Sequence, residues 1–155
     1  MKRIGSVLLL ISAGCMGPEA HETEIETHPS LPFAEVGRGR NAMVDTVHRV
    51  ITSREEWTTL QDSLRPLVPF MPVDFELEMV LVAALPVQSG GYDLRFEEVE
   101  DLGDTIVARY RLYTPGQDCR HTMGAGNVFQ VVRLARTTRL VTFEDTEEAL
   151  DCTES

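Results

Sequence analysis

The stretch that decides the fold is residues 92–113, YDLRFEEVEDLGDTIVARYRLY. Its first half alternates, with Tyr92, Leu94 and Phe96 pointing one way and Asp93, Arg95 and Glu97 the other. Its second half alternates again, placing Ile106, Ala108, Tyr110 and Leu112 on one side. A period of two is the signature of a strand with one buried face. Between the halves stands LGDT, 102–105, a turn with Gly103-Asp104 at its tip, where positive φ costs little. These residues predict a β-hairpin.

Working outward, EMVLVAALP (78–86) is apolar on both faces, as expected of a central strand covered on both sides. VHRVI (47–51) reads as a short strand, and VFQVVRL (128–134) and LVTFE (140–144) as later ones. One helix interrupts them in TSREEWTTLQDSL (52–64). Ser53 is placed to cap it, with Glu56 closing a capping box three residues on. Trp57, Leu60 and Leu64 share one helical face, and Pro66 ends the helix. An early helix followed by strands joined by turns predicts an α+β fold, a single domain with an antiparallel β-sheet and one N-terminal helix packed on it. That domain is expected over residues 44–155.

The chain begins with Met1-Lys2-Arg3, a positive segment, followed by the apolar run Ile4 to Ile11 and the small residues Ser12-Ala13-Gly14. This is the pattern of a cleaved export signal over residues 1–14, and the apolar run is far short of the ~20 residues that span a bilayer. The small residues before Cys15 make it similar to a bacterial lipoprotein signal. That resemblance implies lipidation of Cys15, with more than one acyl chain for stable anchoring. Met16 follows instead of the Asp that resembles an inner-membrane retention signal, which points to the cell envelope and, in a Gram-negative cell, the outer membrane. Residues 15–43 carry acidic residues, prolines and neither period, and are expected to be an acidic flexible tether.

The whole chain has a formal charge of −11, and beyond residue 14 every remaining cation is an arginine. Such an acidic surface repels phosphate backbones, so no nucleic-acid partner is expected. Membrane attachment falls to the lipid anchor.

In an oxidising compartment Cys119 and Cys152, 33 positions apart, are expected to form a disulfide that staples the tail to the 114–127 loop. A competing reading makes Cys119 a nucleophile with His121 as its base, which needs a thiolate-favouring environment. No phosphate-cradling glycine motif, HExxH or GxSxG is present, and His21 and His28 in the tether are expected to be solvated rather than metal-bound. The residues therefore predict no catalytic site, no metal and no cofactor.

From VITSREEWTTL through VDFELEMVLVAALPVQSGGYDLRF to VFQVVRLARTTRLVTFED, about residues 47 to 145, the chain resembles the C-terminal domain of the PrcB family. The shared features are the Glu-Glu-Trp helix start, Asp74-Phe75 before an apolar strand, Gly90-Gly91-Tyr92 opening the next strand, and Thr114-Pro115-Gly116 with Cys119 soon after. That family comprises bacterial accessory subunits of a protease complex. The resemblance implies a protein partner, an exported protease among the candidates, and a non-catalytic accessory or stabilising role. Gly90, Gly91, Tyr92 and Arg120 are the candidate contact residues, because glycine allows close backbone approach and loops on a rigid sheet often carry recognition. The alternative is a protease inhibitor acting through the 114–127 loop.

Overall fold

The computed structural model describes residues 28–40, 45–64, 69–120 and 122–152. The expected signal peptide, Cys15 and the tether up to residue 27 lie outside the described residues. The chain is α+β. Its elements run β1 (Phe33–Arg40), β2 (Val47–Ile51), α1 (Arg54–Gln61), β3 (Glu78–Ser89), β4 (Asp93–Asp101), β5 (Thr105–Pro115), β6 (Met123–Ala135) and β7 (Leu140–Leu150). They form a four-stranded sheet, order β1-β6-β3-β2, and a three-stranded sheet, order β4-β5-β7.

β3 is the central strand, and Met79 through Ala84 are fully buried. Its alternate side chains serve two cores, as the pleat requires. Met79, Leu81 and Ala83 join Leu94, Phe96, Ile106, Ala108 and Tyr110 between the two sheets. Val80, Val82 and Ala84 join Ile51, Trp57, Leu60 and Leu64 on the other face. The molecule is thus layered, with α1 on the outer face of the larger sheet. Ser53 caps α1 by accepting a hydrogen bond from the Glu56 amide, and the carboxylate of Glu56 accepts in turn from the Ser53 hydroxyl.

The hairpin at the heart of the sequence reading pairs Asp93 with Tyr113 and Asp101 with Ile106. Gly103 sits at its tip with φ +87. The simple alternation stops at a bulge between Phe96 and Glu98, after which Val99 takes the buried side. At the same place the Phe96 amide of this edge strand bonds outside its own sheet. The buried side chain of Gln130 accepts from it and donates to Glu35, so β6 ties β4 to β1.

Two expectations are corrected. The tether assigned to residues 15–43 ends earlier, because Phe33–Arg40 is a strand paired with β6 from Phe33↔Leu134 to Arg40↔Val128. Val36 is 1% exposed, so this strand contributes to the core. Residues 29–31 also pair with the outer edge of β4 through Leu31 N to the Val99 carbonyl and Asp101 N to the Pro29 carbonyl. The single antiparallel sheet is two sheets, and β7 runs parallel to β5. A four-residue link after β6 carries the chain across to the second sheet, where it enters beside the start of β5, pairing Thr105 with Leu140.

Candidate partner-binding site

Gly90 and Gly91 form the turn from β3 to β4. Gly91 has φ +92, a conformation that favours glycine. Gly90 donates its amide to the Thr122 carbonyl at 2.8 Å, and a β-carbon on it would overlap the Thr122 hydroxyl. The close approach that glycine permits is therefore used internally, to bring the β3–β4 turn against the link before β6. Tyr92 is half-buried and packs on the core between the sheets. Arg120 is exposed on the same β5–β6 connection, two residues before Thr122.

Cys119 and Cys152 are disulfide-bonded, with Cα atoms 5.1 Å apart. The bridge fastens the end of β7 to the β5–β6 connection, next to hydrogen bonds from Gly116 N to the Leu150 carbonyl and from Cys119 N to the Gly116 carbonyl. With its sulfur committed to Cys152, Cys119 offers no thiolate for nucleophilic attack. His121 lies outside the described residues. The 114–127 loop is shorter than the sequence indicates, since strands claim residues up to Pro115 and from Met123.

Beside this turn lies a cleft of about 350 Å³ lined by Arg38, Gly39 and Arg40 of β1, Gly91, Asp93 and Arg95, and Leu150 of β7. Asp93 organises it. One of its carboxylate oxygens accepts from Arg95 Nε at 2.8 Å and lies 3.8 Å from Arg38 Nη1, while the other accepts from the Leu94 amide. The hydrogen bond and charge of Asp93 raise the Arg95 guanidinium above its ordinary pKa. The same guanidinium lies 5.2 Å from the centre of the Tyr113 ring, a cation–π contact.

Two larger clefts at the opposite end, about 440 and 370 Å³, meet around Leu77, Glu78 and Arg133. Arg133 there is already engaged with the Pro72 carbonyl and Glu78, so those hollows hold a cation used for structure. Volume alone does not select a site. Among the described residues no group of three His, Cys, Asp or Glu is placed to hold a metal ion, and no helix is long and apolar enough to cross a membrane.

Sequence reasoning named Arg95 as a side chain of the alternating hairpin and Arg120 as a contact residue, but missed Arg38 and Arg40. They fell within the assigned tether. The signal was present in GRGR (37–40), where arginine repeats at the period of a strand. No family model, curated protein or solved structure matches this chain.

Proposed function

We infer that this chain is an exported, lipid-anchored protein-interaction module, an accessory or stabilising subunit of a surface protease or another envelope complex. In this reading Cys15 carries the lipid and the segment after it spaces the domain from the membrane. The β3–β4 turn and the β5–β6 connection, with Gly90, Gly91, Tyr92 and Arg120, meet the partner. The observation that carries the reading is the Cys119–Cys152 bridge fastening the β5–β6 connection to the end of β7 at one end of the pair of sheets. A disulfide fits an oxidising compartment, and a stapled loop on a rigid scaffold loses little entropy on binding. The inhibitor reading draws less support, because the segment it needs mobile is pinned at Gly116 and Cys119.

Two experiments test it. Metabolic labelling with palmitate should mark the mature chain and fail on Cys15→Ala; no label on the wild type overturns the anchor. Photo-crosslinkers placed at Tyr92 and Arg120 in living cells should trap one envelope protein, with Arg49, on the β2 edge, as the control position. Equal yields from Arg49 would overturn the assigned surface.

A further inference from the structure

We propose that the cleft between Arg38, Arg40 and Arg95 binds a carboxylate, presented by an acidic residue of an extended segment of the protein partner. This rests on the protein-interaction reading above and specifies the chemistry of its contact.

Charge is the first argument. The chain is formally −11, and the arginines of β5 and β6 are matched by acids, Arg133 by Glu78 among them. Arg109 meets Glu98, Glu100 and Glu144, and Arg111 meets Glu148. The lining of this cleft holds three arginines and one carboxylate, Asp93; Arg38 also faces Glu35 at 3.6 Å, which leaves Arg40 and Arg95 as the under-matched pair. Arg40 has no ion pair among the described residues. Arg95 is engaged through Nε alone, which leaves its two terminal nitrogens available as a fork.

Geometry is the second. Arg38 and Arg40 come from one sheet and Arg95 from the other, so the groups converge across the molecule's end instead of lining one strand. Asp93 already sits between Arg38 and Arg95, and a second carboxylate between Arg40 and Arg95 would continue the same alternation. Guanidinium forks match carboxylates in two-point geometry. Gly39 and Gly91 contribute no side chains to the cleft, so an extended backbone can approach. Leu150, 37% exposed, offers an apolar wall for the neighbouring side chain. The net negative charge opposes every polyanion, and a short segment carrying one or two carboxylates meets far less of that repulsion than a membrane surface or a nucleic acid does.

The test is a titration of the isotope-labelled full chain with an acetylated Glu-Leu-Glu peptide, followed by backbone and arginine side-chain NMR signals. Shifts should concentrate at Gly39, Arg40, Gly91 and Arg95. Arg40→Gln, which removes an exposed and unpaired charge, should weaken binding about tenfold, the equivalent of one charge-assisted hydrogen bond. Arg54→Gln, on α1, should leave it unchanged. Shifts centred elsewhere, or equal loss from both variants, would overturn the site. Displacement of the peptide by an equal concentration of inorganic phosphate would overturn the carboxylate assignment. A chain that crosslinks to a partner in cells yet ignores this peptide removes the cleft and leaves the interaction reading standing.

Discussion

Tyr110 shows how one side chain couples the two sheets. It is 2% exposed, belongs to β5, and shares a 2.7 Å hydrogen bond with His48 of β2 in the other sheet. Burial, with a smaller push from the negative charge of Asp145, raises its phenol from 10.0 to about 12. A folded-state pKa above the unfolded value favours the neutral phenol in the fold. Its contribution to stability is therefore complete below the unfolded pKa and is lost as pH rises through the folded one. Wild-type protein should lose stability between about pH 10 and 12 in denaturant melts followed by circular dichroism. Tyr110→Phe should flatten that loss while costing about 1 kcal/mol at neutral pH through the missing hydrogen bond. An unchanged alkaline slope would mean that another group controls it. Gly116 makes a different residue-scale case. A β-carbon there would run into the Leu150 carbonyl, which is backbone and cannot rotate away. Gly116→Ala should destabilise by about 1–3 kcal/mol, the usual range for overpacking, whereas exposed Arg120→Ala should stay within about 0.5 kcal/mol. The first of these sites was readable only as a turn glycine; its real constraint comes from a residue 34 positions away.

At the scale of elements, legibility followed local periodicity. The β4–β5 hairpin and α1 were readable because their apolar residues recur at the period of their own structure, and β3 because its unbroken apolar run marks a strand covered on both faces. β1 was not. FAEVGRGR contains two glycines and two arginines, a bulge between Glu35 and Gly37 breaks its alternation, and its order depends on pairing with β6, about a hundred residues away. β7 was half-readable. Val141 and Phe143 pack on the inter-sheet core, but Glu144 to Leu150 is exposed and polar nearly throughout. What holds that second half is the ladder to β5 and the disulfide at its end. Its acids Glu144, Asp145, Glu147 and Glu148 also suit an open sheet edge, where charge discourages pairing with other chains. The Cys119→Ser/Cys152→Ser variant should therefore lose hydrogen-exchange protection over residues 145–150 while Val80–Ala84 keeps it. The global cost should not exceed about 3–4 kcal/mol, the chain-entropy limit for a closed loop of this length. Equal loss of protection in β3 would show that the bridge supports the whole fold.

For the whole molecule, the step hidden from the sequence was which strands share a sheet. Every strand of the smaller sheet has an apolar face that could equally have extended the larger one. The choice is made by the links. Arg136 donates to the Thr52 and Phe75 carbonyls, and Arg139 pairs with Asp101 and donates to the Gly103 carbonyl. The chain between β6 and β7 is thus clamped at one end to the larger sheet's outer cover and at the other to the tip of the hairpin. On the opposite side, residues 29–31 edge β4 before β1 crosses to β6, so the N-terminal segment closes the gap between the sheets. This placement gives a sharp expectation for truncation. A chain starting at residue 44, where periodicity alone begins the domain, removes β1 with its buried Val36, strips the partner from one edge of β6 and uncovers a face holding Phe129 and Val131. It also removes Arg38 and Arg40 and with them most of the candidate carboxylate cleft. A chain starting at residue 28 keeps all of these. The shorter chain should melt at least about 8 °C lower, consistent with losing one buried strand's worth of contacts from a domain of this size, or elute as an aggregate through the newly open edge. The longer chain should match the full protein in melting temperature and remain monodisperse on size-exclusion chromatography. Equal melting of the two truncated chains would mean that β1 is peripheral, and both the corrected domain boundary and the cleft built on it would fall.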